Sequence, residues 1–417
     1  MKLLVFAHTP PPHHGQSYMV QLMLEGFGGD CRKRRGVPGT NRHGVECYHV
    51  NVRLSNELED IGSFRFGKLL LLVGYCLQAI WCRYRYGVEN FYYIPAPGKH
   101  SAIYRDWVVM FLCRPFFKRL ILHWEAAGLA KWLETSVQMP ARALTFRLMR
   151  EVSLSVILSK YTRADAEKLF SRRICVVHNG IPDPCPDFDR AVLPRRRSRR
   201  AARAELMSGR SQSDDDTRIF KVLYVAHCTR DKGLFDAIEG VLLANRKLQA
   251  EGSAISMKLV VAGTFLTAEE QDEFERLHAR PEVRSAVEYL GFIEGARKTE
   301  TFSLADAFCF PTYYRNESQP VSLIEAMAFG LPIVTTGWRS IPELLPADYP
   351  GVVPIRSPQH VAEALLRLVN SDVGEQLRGI FLRQFTAENY IAGLAEAFHR
   401  TASTDCVVPN LAVDTAG

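Results

Sequence analysis

Two glutamates, Glu317 and Glu325, separated by seven residues in NESQPVSLIEAMAFGLPIVTT, carry the strongest chemical signal in the chain. An apolar run ends at Phe310, and a polar loop then holds Glu317. Pro320 suits the first turn of a helix, where its missing N–H is no loss. Gly330 and Pro332 punctuate the end of that helix. Glu317 therefore falls just before a helix N-terminus, and Glu325 falls within the helix. The N–H groups around Ser318, Gln319, Pro320 and Val321, together with the helix dipole, make an anion site. A carboxylate beside such a site is costly unless it has another partner, and a sugar hydroxyl is a fitting one. Alone, this spacing would also suit a dipole partner followed by a solvated helix residue; the strand before it and the Pro/Gly punctuation argue for a site. Lys232, followed by Gly233 in LYVAHCTRDKGL, is a point charge on a flexible stem that suits a phosphate. His123 closes the run RLILHW, where a strand-end imidazole can bond a sugar hydroxyl. Gly15, with Gln16 and Ser17, follows the first apolar run and allows close backbone approach to a ligand. The neighbouring His13 and His14 read as a surface loop, Asp214–Asp216 as a solvated charge run, and no metal site is expected.

The elements that must position these residues are short apolar runs alternating with helical stretches. KLLVFAH, VECYHVNV, ENFYYIPA, RLILHWE, VSLSVILSK and RRICVVHNGI are candidate strands of the first half. FKVLYVAH, MKLVVAG, VEYLGF, DAFCFP and LPIVTT are those of the second, with DAIEGVLLANRKLQ, EEQDEFERLH and VSLIEAMAF as intervening helices. This alternation predicts βαβ units and parallel sheets. The fold class is α/β, with two Rossmann-like doubly wound domains facing across a cleft. The first spans 1–182 and the second 218–384. Residues 183–217, rich in Pro, Arg, Ser and Asp, read as a linker with a mobile Arg-rich insertion. Ligands in open α/β sheets bind at the carboxyl ends of strands, so the cleft is the expected site.

These motifs, in this order, resemble family 4 glycosyltransferases, the retaining group 1 enzymes of the GT-B fold. Glu317–Glu325 with EAMAFGLPIV resembles the family hallmark, and LYVAHCTRDKGL its first C-domain strand and phosphate loop. KLVVAG and VEYLGFI resemble the next two strands, and VVHNGI the end of the N-domain. The likeness covers about residues 150–345 and is weaker before them. It implies an acceptor domain over 1–182, a donor domain over 218–384, a helix over 385–400 returning toward the N-domain, and a disordered tail over 401–417. It further implies a nucleotide diphosphate sugar as co-substrate with no cofactor or metal, and a polysaccharide, glycolipid or lipid-linked acceptor in cell-envelope polysaccharide synthesis. Lys232 would contact the diphosphate with Gly233, Glu317 the donor sugar, and Glu325 the ribose hydroxyls. Ser318, Gln319, Pro320 and Val321 would line the donor site. His123 would lie near the transferred sugar, with Trp124 or Glu125 shaping the acceptor pocket. Gly15, Gln16 and Ser17 would face the diphosphate or acceptor. The family usually has Arg five residues before the Lys; here His227 stands there, and Arg230 is the candidate replacement.

Composition sets the outer limits. Hydrophobic residues make up 47% and charged ones 23% of the 417 residues, which excludes a fully disordered chain, a collagen-like fibre or a disulfide-dense miniprotein. The net charge is +7, and the seven arginines of RAVLPRRRSRRAAR at 190–203 account for all of it. That segment lacks interleaved aromatics, so a nucleic-acid partner is not expected, and its deletion should spare ligand binding. The ten cysteines include no CxxC pair and fit a reduced, cytoplasmic protein. The start, MKLLVFAHTPPP, has too short an apolar run for a signal peptide. Leu69–Cys82 is too short to span a bilayer; flanked by Arg65, Lys68, Arg83 and Arg85, it fits either a core helix or one lying on an anionic membrane. A glycosidase also uses paired carboxylates but leaves Lys232 unexplained. A catalytically weak GT-B relative that only binds ligands or partners is the alternative that His227 supports.

Overall fold

In the computed structural model, residues 1–11, 15–33, 43–54, 66–208 and 215–402 are described. His13, His14, Arg65, Asp214 and the tail beyond 402 lie outside the described residues. Runs rich in Val, Ile, Leu and aromatics form two six-stranded parallel sheets whose central strands are largely buried, as strands covered by helices on both sides must be. The first sheet contains β1 (Lys2–Ala7), β2 (Glu46–Asn51), β3 (Asn90–Tyr93), β4 (Arg119–Trp124), β5 (Leu154–Ile157) and β6 (Ile174–Val176), in the order β2-β1-β3-β4-β5-β6. The second contains β7 (Ile219–Val225), β8 (Ser256–Ala262), β9 (Val287–Gly291), β10 (Ala307–Phe310), β11 (Ile333–Thr336) and β12 (Val352–Val353), in the order β12-β11-β10-β7-β8-β9. The strand order reverses direction between β1 and β3 in one sheet and between β7 and β10 in the other. At such a switch point the connections leave toward opposite faces and open a crevice.

The helices that matter for the cleft are α1 (Gly15–Gly26), α2 (Phe66–Tyr86), α3 (His100–Cys113), α4 (Leu193–Met207), α5 (Leu234–Ala250), α6 (Ala268–His278), α7 (Gly295–Leu304), α8 (Val321–Ala328) and α9 (Ala387–Ala402). The chain crosses between the domains at two adjoining places. Ile181 donates to Phe385 and accepts from Ala387, both at 2.9 Å. Gly180 is needed there because a Cβ would run into the Thr386 carbonyl. Beyond this crossing, α9 packs on α1 and β5 of the first domain, with Phe398 against Phe27 and Tyr92.

One expectation is overturned. The Arg-rich segment is not a mobile insertion: it forms α4, docked on the second domain. Arg203 is 2% exposed and pairs with Asp306 at 2.6 Å, and Arg199 reaches the same oxygen at 3.2 Å. Arg196 donates to the carbonyls of Phe329 (2.6 Å) and Gly330 (2.8 Å) just past the end of α8, where unpaired carbonyls and the dipole favour a cation. Local composition suggested a solvated linker, but carbonyls and carboxylates from distant segments supply the partners.

Asp306→Ala leaves the buried Arg203 guanidinium without its carboxylate, a change that costs about 3–5 kcal/mol. Urea unfolding should show that loss. Deleting 190–203 should likewise destabilise the second domain, not spare it.

Candidate active site

The loops leaving β7 and β10 carry the chemistry. After β7 the chain turns through His227, Arg230 and Lys232 to Gly233, whose φ of +84° is left-handed backbone. A Cβ there would also strike the Pro311 carbonyl of the neighbouring loop, so glycine packs the two loops together. After β10, Thr312, Tyr314 and Glu317 lead to Pro320, the N-cap of α8. Glu317 is buried, and its Oε2 accepts from Lys232 Nζ at 2.8 Å and from Thr312 Oγ1 at 3.1 Å. The Lys232 ammonium also lies 4.4 Å from the centre of the Tyr314 ring, a cation–π contact. Across the cleft, α1 begins at Gly15, where a Cβ would sit 3.7 Å from Val321 Cγ2. The N-termini of α1 and α8 thus converge beside Lys232 and bring their positive dipole ends to the space between them.

That space is a cavity of about 2250 Å³ lined by both domains. Single-ligand pockets run to about 1,000 Å³, so this cleft has room for two substrates. Gly15, Gln16, Arg230, Lys232, Glu317, Ser318, Gln319, Pro320, Val321 and Glu325 all line it. Four expectations are refined by the geometry. Ser17 is fully buried within α1 and does not face the cleft. Gly233 shapes the Lys232 loop without lining the cavity. His123 is also fully buried, because a side chain at this register of a central strand points into the layer behind the sheet. Its Nδ1 is 2.6 Å from the Tyr92 hydroxyl, and burial lowers its pKa to about 3. Trp124 is a core residue, its indole N–H bonded to Ser155. Of the HWE triplet, Glu125 is the residue that lines the cleft.

Gln319 has a second role. Its carbonyl oxygen accepts from the Asn179 N–H at 2.7 Å, and its amide nitrogen donates to the Leu158 carbonyl at 3.1 Å. It ties the β10 loop to the first domain. Arg230 lines the cleft mouth, but its guanidinium pairs with Glu273 on α6 and lies over the Phe235 ring. His227 lines the cleft as a neutral imidazole, lowered by burial and then by the Lys232 charge.

Spacing arguments missed Lys298 on α7. Its ammonium pairs with Glu325 at 2.6 Å. Burial raises the Glu325 carboxyl and Lys298 opposes that rise. The pair was invisible in the sequence because Lys298 is a lone lysine in an ordinary helix. The first-domain wall adds Arg53, Lys99 and Arg105. Among the described residues, no group of three His, Cys, Asp or Glu is arranged to hold a metal ion.

The fold and the cleft define the GT-B class, two parallel-sheet α/β domains facing each other. Residues 209–397, which include Lys232, Lys298, Glu317 and Glu325, match the family model of the glycosyl transferases group 1. WcaL of Escherichia coli strain K12, assigned provisionally by its name to colanic acid biosynthesis as a glycosyltransferase, is 30% identical over 160 residues. AmsK of Erwinia amylovora, an amylovoran biosynthesis glycosyltransferase, is 30% identical over 153 residues. These alignments span 37% and 36% of this chain and 37% and 35% of those proteins, so the chain spans about a third of the curated relatives it matches. Among solved structures, Anabaena HepE in complex with UDP superposes with a TM-score of 0.62 at 15% identity, covering 96% of this chain and all of that one. Sucrose-phosphate synthase from Thermosynechococcus elongatus superposes with a TM-score of 0.65 at 16% identity, covering 97% of this chain and all of that one. At such identities the likeness is one of fold.

Gly233→Ala should cost about 1–3 kcal/mol from left-handed strain alone, and more from the clash with Pro311. A lowered urea midpoint would check this.

Proposed function

We propose that the protein is a group 1 glycosyltransferase that moves a sugar from a nucleotide diphosphate donor to a glycan, glycolipid or lipid-linked acceptor, with retention of anomeric configuration. The observation that carries this reading is the convergence of Lys232 and two helix N-termini beside the Glu317 carboxylate. Preorganised cation and dipoles suit the charge that develops on a departing diphosphate. The anomeric carbon–oxygen bond to the diphosphate breaks, and a bond to the acceptor oxygen forms on the same face. The acceptor's hydroxyl proton passes to the departing oxygen. Lys232 leaves Glu317 for the diphosphate, and Glu317 takes hydroxyls of the sugar. Glu325, steadied by Lys298, takes the ribose hydroxyls. The family-model match over the donor domain supports this, as does the UDP held by the structurally similar HepE. No metal is required in this scheme.

The names of WcaL and AmsK point to exopolysaccharide assembly as the setting. No helix among the described residues is long and apolar enough to cross a membrane. α2 buries Leu72, Cys76 and Ala79 on one face, yet exposes Leu77 (61%), Trp81 (53%) and Tyr84 (70%) on the other. With Arg83 and Arg85 on its last turn, this outer face suits peripheral contact with an anionic bilayer at the cytoplasmic side. A ligand-binding module without turnover is the second reading. It is favoured by His227, which leaves Lys232 without the second cation the family usually provides.

A thermal-shift panel of nucleotide diphosphate sugars tests donor binding, since a ligand of the native state raises the melting temperature. At least one donor should stabilise the protein and release its nucleoside diphosphate, unchanged by a chelator. Binding without release would favour the second reading. Glu317→Ala should abolish release and retain the fold. Lys232→Ala should weaken diphosphate binding by about 10–100-fold, the loss of a charge-assisted contact. Co-sedimentation with anionic vesicles should fall when Leu77, Trp81 and Tyr84 are changed to serine; no binding by the unaltered protein would refute the membrane contact.

A further inference from the structure

Behind the cleft floor lies a group of buried polar atoms that make no hydrogen bond. They are His123 Nε2, Glu125 Oε1, Asn179 Oδ1 and the Tyr390 hydroxyl. They come from the end of β4, the crossing after β6, and α9. Leaving a buried polar atom unpaired costs about 1–3 kcal/mol, so four in one place call for a ligand. The Glu125 side chain is 6% exposed, lines the cleft, and has His123 Nε2 at 3.7 Å behind it. The Asn179 side chain hydrogen-bonds the Glu125 carboxyl, and the Asn179 backbone N–H bonds Gln319, two residues from Glu317. Glu125 and the Glu317 loop thus line the same cleft from opposite domains, joined through Asn179 and Gln319.

We propose that the Glu125 carboxyl, steadied by Asn179 and backed by His123, binds a hydroxyl of the sugar held by the Glu317 loop. This inference rests on the donor reading above. The carboxyl acts in its neutral form. Burial raises its pKa to about 8, against a small opposing effect of the Asn179 bond. The titratable groups around it are His123 from its own strand, Tyr92 from β3 and Tyr390 from α9. Burial lowers His123 and raises both phenols, so all three are uncharged at neutral pH. Glu125 Oε1 then carries a proton toward a ligand oxygen, as an amide N–H would, and sugar binding buries it further. As pH rises through about 8 the carboxyl ionises and this bond is lost.

The test compares the nucleotide diphosphate sugar that most stabilises the unaltered protein with its nucleoside diphosphate alone. The affinity gained from the sugar should fall about 3–10-fold in Glu125→Ala, the value of one net hydrogen bond, with binding of the nucleoside diphosphate unchanged. Glu125→Gln, a neutral carrier of the same donor, should keep the gain. It should also keep it above pH 8, where the unaltered protein loses it. An equal gain in the unaltered protein and Glu125→Ala, or a Glu125→Gln variant as impaired as Glu125→Ala, would overturn the proposal. No gain from any sugar over its diphosphate would do the same. No binding of any nucleoside diphosphate would instead defeat the donor reading on which the proposal stands.

Discussion

The contact between Lys232 and Glu317 joins the two loops on which the cleft depends. One loop leaves β7 and the other β10, the strands at the switch point of the second sheet. Each charge would be costly alone in a half-dry cleft, and each compensates the other across 2.8 Å. Thr312 and Tyr314 complete the pocket around them. The pair thus holds the two loops in shape while keeping both charges at the cleft. Lys298 and Glu325 repeat the arrangement one helical stretch away.

The first domain supplies a different kind of surface. Its contribution is basic where Arg53, Lys99 and Arg105 line the cleft, with a neutral layer of His123, Tyr92 and Tyr390 buried behind Glu125. The crossing at Ile181 and Thr386 lets α9 bring Tyr390 from the end of the chain to that buried layer. Gln319 and Glu343 add bonds between the domains, the latter by accepting from the N–H groups of Lys160 and Tyr161 at 2.8 and 2.9 Å.

The excess positive charge of the chain also takes its meaning from packing. Its local source, the arginines of α4, is tied to Asp306, Glu375 and the carbonyls after α8. The helix braces the back of the second domain.

The sequence alone determined the sheets and the donor loops. Eleven of the twelve strands were legible as short apolar runs, continuous where a central strand is buried on both faces; β12, two residues long, was too short to register. Glu317, Glu325 and Lys232 were legible because helix caps and strand ends are local features, written in Pro, Gly and spacing. What depended on distant partners was decided by the tertiary structure. His123 and Glu125 are two residues apart, and only the register of β4 shows which one reaches the cleft. Lys298 acquires a role only when α7 packs beside α8. The Arg-rich run read as mobile because its carboxylate partners, Asp306 and Glu375, lie more than a hundred residues further on. Local pattern fixes where the chain folds into elements; charge pairing and burial, which act through space, decide what each polar residue is for.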